Sequence, residues 1–147
     1  MKVFIIVISM LFSFSAFSQK EAKEWVKKNS SGVVIEKGYY KNKKKDGEWR
    51  YFYDDGKPSL KVTYKDGLLN GQSLRYDLQG NVIAELTYVD GKLTGNQIYD
   101  YQTGQKLSEG NMVNGKEDGA WKYYNQTGEF MGYVKYKNGK QIDELTK

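Results

Sequence analysis

Residues 47–71 read GEWRYFYDDGKPSLKVTYKDGLLNG, a segment that begins and ends on glycine and carries two more at Gly56 and Gly67. These glycines recur at intervals of 24 residues. Thirteen of the 16 glycines fall in three such columns, which are Gly32, Gly56, Gly80, Gly104 and Gly128; Gly47, Gly71, Gly95 and Gly119; and Gly67, Gly91, Gly115 and Gly139. Because random placement would put about two glycines in any three columns, the sequence is a tandem repeat of fixed length.

The glycine columns mark turns. Asp66-Gly67 and its equivalents in later repeats are dipeptides that accept positive φ at both positions, as a tight hairpin turn requires. At Gly56 and its equivalents, only glycine takes the left-handed conformation at low cost. Two turns in 24 residues leave two strands of about six to eight residues. Each repeat is therefore predicted to be a β-hairpin, and the thirteen column glycines are predicted to be turn positions.

The strands show the period of two that is typical of a half-buried strand. Leu60, Val62 and Tyr64 alternate with polar residues, and the same alternation recurs in later repeats. The sequence predicts an all-β single domain of about five hairpin repeats, near residues 23–46, 47–70, 71–94, 95–118 and 119–142. For residues 19–28, a short helix and a frayed strand both remain open.

The N-terminal segment has the pattern of a secretory signal peptide. Lys2 is followed by an apolar stretch at residues 3–17, with small residues before the end at Ser18. An uncleaved anchor is the alternative, but it would need about 20 apolar residues. We expect cleavage after Ser18, which gives a mature chain of residues 19–147 that is exported to a periplasm or the cell exterior.

The chain contains no His and no Cys. This excludes zinc sites built on these residues and nucleophile pairs that need an imidazole or a thiol. A two-carboxylate enzyme using Glu48 and Asp54 would need one desolvated acid, whereas these residues lie at or beside turns. We therefore expect a protein that is not an enzyme and has no cofactor and no metal.

Positive charge is concentrated near the N-terminal end of the mature chain. Residues 19–65 carry 13 basic and 7 acidic side chains, whereas residues 66–147 carry 9 basic and 11 acidic. Much of the excess is the run Lys41, Lys43, Lys44 and Lys45. It reads either as a solvated turn or as a docking site for an anionic lipid, an acidic polysaccharide or an acidic protein. Nucleic acid is not expected, because the chain has only two arginines.

Aromatic residues also recur in register. Trp25, Trp49 and Trp121 share one column. Bulky aromatics stabilise a single-layer sheet, so most of them are interpreted as structural, with an exposed row as the alternative binding face. The candidate binding surface consists of the basic run and five aromatics, which are Lys41, Lys43, Lys44, Lys45, Trp49, Tyr51, Tyr53, Trp121 and Tyr123.

Residues 47–57 with Tyr64 to Gly67, and residues 119–140 with Trp121, resemble MORN repeats (membrane occupation and recognition nexus) in the bacterial variant form found in proteins labelled YwqK-family toxin–antitoxin antitoxins. The resemblance covers residues 23–141. It implies that the hairpins stack into an elongated, twisted antiparallel sheet. Ser73 and Gln97 depart from the repeat pattern where other repeats have Trp, and we expect these positions to be unsuited to aromatic-dependent ligand contact.

Two functions follow from this reading. The first is an exported, non-catalytic binding or scaffold protein of the cell envelope, because tandem repeats build an extended surface without a deep pocket. The alternative is an antitoxin-like protein that sequesters a toxin. A protein partner is expected in either case. Self-association is a further option, since the end strands of an open sheet expose unpaired backbone groups.

Overall fold

The computed structural model describes residues 21–143, so the predicted signal peptide at residues 1–18 lies outside the described residues. These residues form one antiparallel sheet of 13 strands without any helix, which confirms the predicted all-β fold. None of the described segments is a helix capable of crossing a membrane. The strands are β1 (Lys23–Lys28), β2 (Val34–Lys41), β3 (Lys44–Phe52), β4 (Pro58–Lys65), β5 (Leu68–Tyr76), β6 (Val82–Val89), β7 (Lys92–Leu93), β8 (Gly95–Asp100), β9 (Lys106–Val113), β10 (Lys116–Glu117), β11 (Gly119–Tyr124), β12 (Phe130–Lys137) and β13 (Lys140–Gln141).

The sheet is open and follows chain order from β1 to β13. The short strands β7 and β10 lie off the main path, where β7 pairs with β6 and β10 pairs with β9. Each strand contacts mainly its hydrogen-bonded neighbours. Residues 23–28 are a strand, which resolves the alternatives that the sequence left open at this end. Every hairpin therefore adds to one continuous sheet, as the repeat predicts.

The Asp-Gly and Asn-Gly turns adopt the predicted geometry. At the β4–β5 turn, φ is 51° at Asp66 and 87° at Gly67. The backbone N–H of Gly67 also donates to the carbonyl of Lys45 in the preceding repeat, at 2.8 Å. The same contact recurs at Gly91, Gly115 and Gly139. These turns thus stack on one another along one edge of the sheet.

The turns at the opposite edge show a pattern with a two-repeat period. The first residue of each five-residue turn alternates along the chain between Asn or Asp and Tyr. These first residues are Asn29, Tyr53, Asp77, Tyr101 and Asn125. In the first kind of turn, a side-chain oxygen accepts two backbone N–H groups, as Asp77 does from Gln79 and Asn81, both at 2.9 Å. In the second kind, the phenol donates to the next turn, as Tyr53 does to the carbonyl of Tyr76 at 2.7 Å.

The Gly47 column lies within or at the start of strands and not at a turn, which corrects the expectation for these four glycines. Lys37 pairs with Arg50, whereas Tyr39 pairs with Asp46, so three residues of β3 face a single residue of β2. Gly47 has a φ of 74° within this bulge. Such a bulge inserts residues into one strand and needs a conformation that glycine adopts easily.

The two faces of the sheet differ sharply. Strand alternation places all the buried apolar residues on one side, which we call the core face, and they are Trp49, Val62, Ala84, Met112 and Trp121. The opposite side, the polar face, carries exposed ion pairs. There Glu48 accepts from Arg50 at 2.6 Å and lies 2.9 Å from the ammonium of Lys61. The core of this single-layer sheet is thus built from side chains that cover one face.

Candidate functional site

The tryptophans of the core face depend on a glycine in the preceding strand. Trp49 on β3 lies over Gly38 on β2, and Trp121 on β11 lies over Gly110 on β9. A Cβ atom at either glycine would overlap with the indole ring. Both indoles also donate to a backbone carbonyl, as Trp49 does to Tyr39 at 3.1 Å. The ring and the missing side chain are therefore two halves of one packing unit.

In the third repeat the sizes of the two residues are exchanged, so that the larger residue lies on the earlier strand and the smaller one on the later strand. Ser73 on β5 occupies the tryptophan position, and the residue that replaces the preceding glycine is Val62 on β4. The space above these two residues is a groove on the core face with a volume of about 470 Å³. Ser73 forms its floor and is only 2% exposed. The walls are Leu60, Tyr64, Leu69, Arg75, Leu86 and Tyr88, with Tyr51 at one end.

The groove corresponds residue by residue to the pocket that holds Trp49. That indole packs against Tyr40 and Tyr64 with centroids 5.1 and 6.1 Å apart, and the ammonium of Lys45 lies 3.9 Å from its centroid. One repeat later, the equivalent positions are all groove walls, namely Tyr64, Leu69, Arg75 and Tyr88. The groove thus keeps the walls of an indole pocket, but serine replaces the indole and Val62 fills the space that Gly38 leaves open beneath Trp49.

Half-buried tyrosines line the groove as neutral hydrogen-bonding groups. Burial, followed by a hydrogen bond with Tyr51, raises the pKa of Tyr64 to about 12. Burial also raises the pKa of Tyr51 and of Tyr88. These phenols therefore keep their protons at neutral pH and can donate or accept hydrogen bonds.

Arg75 is the charged group at the groove. It replaces the tyrosine that the second, fourth and fifth repeats carry at this position, as in Tyr51, and it lies between Leu60 and Ala84 in the sheet. The side chain is exposed, and within residues 21–143 it makes no ion pair. Arg50, the other arginine, is paired with Glu48. The groove therefore combines apolar walls, neutral phenols and one unpaired cation.

The fourth repeat also lacks the tryptophan, but a buried polar side chain fills the position. Gln97 occupies the tryptophan position and is completely buried. Its amide accepts from the N–H of Thr87 at 3.1 Å and donates to the carbonyls of Thr94 and Gly95. The side-chain amide of Gln97 thus has backbone hydrogen-bond partners within the fold, whereas the small side chain of Ser73 leaves a groove open. Tyrosines surround Ser73, and the expectation that both departures are unsuited to aromatic-dependent ligand contact stays a prediction.

The basic run divides into buried and accessible parts. Lys45 lies on the core face, where its ammonium contacts Glu36 at 2.7 Å and the phenol oxygen of Tyr51 at 2.7 Å. Lys43 is exposed at the β2–β3 turn, Lys44 is exposed at the start of β3, and Lys41 is half-buried at the end of β2. The accessible charge of this turn therefore comes mainly from Lys43 and Lys44.

The predicted aromatic residues also separate by burial. Trp49 and Trp121 are 0% and 6% exposed, so they belong to the core and leave no ring surface for a partner. Tyr51 is a groove wall, and Tyr53 uses its phenol in the turn contact described above. Tyr123 forms a side-chain hydrogen bond with Tyr136. Burial, followed by this hydrogen bond, raises the pKa of Tyr123 to about 12. Of the five aromatics, only Tyr51 and Tyr53 line the groove.

A second recess lies at the N-terminal end of the core face. Trp25 is 41% exposed there and packs edge-on against Tyr40 at a centroid distance of 5.7 Å. The recess has a volume of about 560 Å³ and includes Lys23 and Lys43. The structure therefore brings Lys43 next to the exposed Trp25, whereas Lys45 lies over the buried Trp49.

The carboxylate considered for acid–base chemistry is part of an ion-pair cluster. Hydrogen bonds from Lys61, followed by those from Arg50, hold the pKa of Glu48 below its usual value despite partial burial. Asp54 lies at the exposed β3–β4 turn. In residues 21–143, no three acidic side chains are grouped as a metal site would require.

Sequence reasoning missed the groove although the sequence contains its signal. Ser73 and Arg75 depart from their columns within the same repeat, and Val62 replaces a glycine in the strand before. Gly38 and Gly110 form a fourth glycine column, 72 residues apart, that coincides with the following tryptophans. The groove becomes visible only when the columns are read in pairs across neighbouring strands.

Taken together, these features define a tandem β-hairpin protein with a groove on one face of an open sheet. A family model described as a MORN repeat variant matches residues 45–66. These residues cover most of the β3–β4 hairpin, and this unit of the chain is a MORN repeat variant. The match supports a repeat-based binding or scaffold role. No curated protein sequence matches the chain.

Proposed function

We propose that this protein is an exported, non-catalytic binding protein of the cell envelope that holds a protein partner on its core face. The observation that carries the proposal is the groove over Ser73, whose walls are apolar side chains and half-buried tyrosines. Concave, mostly apolar sites with a few convergent polar groups are the usual form of binding sites. Tyrosine and arginine are also enriched at protein interfaces.

A protein partner fits the core face better than an anionic surface does. The groove contains one cation, Arg75, and the nearby Lys45 is neutralised by Glu36 at 2.7 Å. An anionic membrane or polysaccharide would instead require several unpaired cations on one face. The exposed Lys43 and Lys44 lie at the turn edge, away from the floor of the groove.

The test is a pull-down from the envelope extract of the source cell with a variant whose groove is filled. The double variant Val62→Gly and Ser73→Trp copies the Gly38–Trp49 unit, so it should fold and place an indole in the groove. We expect it to lose a specific protein partner that the parent captures. The control is Gln72→Ala, an exposed change on the other face of β5. Equal capture by the parent and the filled variant would refute the proposal.

The export proposal has its own test. The intact mass of protein from the envelope fraction should correspond to a chain that starts at Gln19. A mass starting at Met1, in protein recovered from the cytosol, would overturn export. If the captured partner is encoded next to this protein and kills cells when expressed alone, the antitoxin-like alternative replaces a general scaffold role.

A further inference from the structure

We infer that the partner inserts an aromatic ring into the groove over Ser73 and places a carboxylate on Arg75, two residues further along an extended segment. This inference rests on the proposed function and names the chemistry of the partner. The first step is the shape of the groove. Its walls are the repeat-equivalents of the side chains that surround Trp49. Val62 replaces the glycine beneath the ring, and the volume of about 470 Å³ leaves room for an aromatic ring above Val62 and Ser73.

The second step is the character of the floor and walls. Val62 and Ser73 are 3% and 2% exposed, and Leu60, Leu69 and Leu86 face the same space. A ring placed there would bury its surface against aliphatic side chains and lie beside Tyr64 and Tyr88. In the second repeat, the equivalent aromatic pairs are edge-on, with interplanar angles of 82° and 78°. Such arrangements favour an aromatic occupant over an aliphatic one.

The third step is the charge at the rim. Arg75 makes no ion pair with any described residue, although Glu48, Lys61 and Arg50 on the other face all do. Where the second repeat places a tyrosine next to its indole, the third repeat places a guanidinium. A guanidinium binds a carboxylate with paired, charge-assisted hydrogen bonds. Charge complementarity thus specifies an acidic group beside the ring.

The fourth step is spacing. Ser73 and Arg75 lie two residues apart on β5 and point to the same face, which separates them by about 6.6 Å. In an extended partner segment, residues two apart also share a face at this separation. For a segment that runs in the direction of β5, the matching pattern is an aromatic residue, any residue and then Asp or Glu.

The experiment measures peptide binding to the mature chain by fluorescence anisotropy. Two labelled peptides, Gly-Ser-Trp-Thr-Asp-Ser-Gly and the same peptide with Asn in place of Asp, differ only in the carboxylate. We expect the Asp peptide to bind about fivefold more tightly, which is the effect of one exposed guanidinium–carboxylate pair. Arg75→Gln should remove this preference. Arg50→Gln, which changes the other arginine, should keep it.

The outcomes separate the two claims. Equal affinity for the two peptides, or a preference that survives Arg75→Gln, would overturn the inference, as would no binding of either peptide up to about 1 mM. Unchanged melting temperatures for both arginine variants would show that the sheet is intact. If the filled variant loses its partner in the pull-down while Arg75→Gln retains it, the proposed function stands and the ring-and-carboxylate pattern is wrong.

Discussion

Lys43 occupies a backbone position that glycine takes in the later repeats. It is the second residue of the β2–β3 turn, where Asn42 and Lys43 have φ values of 51° and 64°. The left-handed conformation costs an L-residue with a Cβ atom roughly 1–2 kcal/mol. The basic turn is therefore strained by its lysine, whereas the equivalent turns relieve this strain with Gly67, Gly91 and Gly115.

The first prediction follows from this strain. Lys43→Gly should raise the free energy of unfolding by up to about 1 kcal/mol, since part of the relief is offset by the greater freedom of glycine in the unfolded chain. Urea denaturation measures the change. Lys44→Gly is the control and should lower stability, because Lys44 lies in β3 at a non-turn position. A lower midpoint for Lys43→Gly would contradict the turn geometry.

The second prediction concerns Asp77, which is buried at its turn. Burial opposes ionisation, but hydrogen bonds from Asn81, Gln79 and Gly80 outweigh it and hold the pKa below its usual value of 3.8. The carboxylate therefore contributes stability that is fully present above the unfolded pKa and is lost as pH falls through the lower, folded pKa.

Asp77→Asn should keep the turn, because Asn29 and Asn125 accept the same backbone hydrogen bonds at equivalent positions. We expect near-parental stability at pH 7 and a smaller loss on acidification through pH 4 and below. Thermal melts across this pH range provide the measurement. Asp54→Asn, which changes an exposed carboxylate at a neighbouring turn, is the control. An acid response identical to that of the parent would show that Asp77 carries none of it.

At the scale of strands, the unit of packing is a pair of residues on neighbouring strands. Gly38 with Trp49 and Val62 with Ser73 occupy the same two positions one repeat apart. The large residue moves from one strand to the other, so the pair is complementary in size. Neither column alone shows this rule.

The third prediction tests the rule with a double-mutant cycle. Gly38→Val alone should be strongly destabilising, because the new side chain overlaps the indole of Trp49. Adding Trp49→Ser copies the third repeat and should recover part of the loss, which gives a favourable interaction energy within the about 0.5–3 kcal/mol range of contacting pairs. Denaturant melts of the four proteins give this energy. Additive losses would mean that the two positions are not coupled.

At the scale of the whole molecule, stability is distributed along a line of neighbouring strands. Trp49 on β3 and Trp121 on β11 are separated by several strands, and their aromatic ring partners within residues 21–143 are different. Repeat proteins of this kind are described by local and nearest-neighbour terms. Distant changes should therefore combine without interaction.

The fourth prediction is that Trp49→Phe and Trp121→Phe lower stability additively. Each should cost about 2 kcal/mol as a core truncation, and the double variant should equal the sum within about 0.5 kcal/mol. Equilibrium denaturation followed by circular dichroism measures all three variants. As a contrast, Trp49→Phe combined with Tyr64→Leu should be non-additive, because these rings are in contact at 6.1 Å. Strong coupling between the distant pair would refute a linear distribution of stability.

The architecture was predictable because it depends on periodic local chemistry. A dipeptide such as Asp66-Gly67 is enough to predict a tight turn, and the fixed spacing of 24 residues predicts that the same turn recurs in each repeat. The bulge at Gly47 was missed because a strand glycine and a turn glycine look alike in one dimension. The groove was missed because it depends on the residues opposite Ser73 and beside it, and strand register alone brings Val62, Arg75 and Tyr88 together.

The alternation of turns along the edge that contains Tyr53 sets a rule for changing the length of this molecule. An Asn or Asp turn is followed by a tyrosine turn from Asn29 to Asn125. A segment of 48 residues is therefore the smallest one that can be inserted or removed while each turn still lies next to a turn of the other type. A designer who wants a longer or shorter sheet should splice in units of two hairpins, since a single 24-residue unit joins two turns of one type.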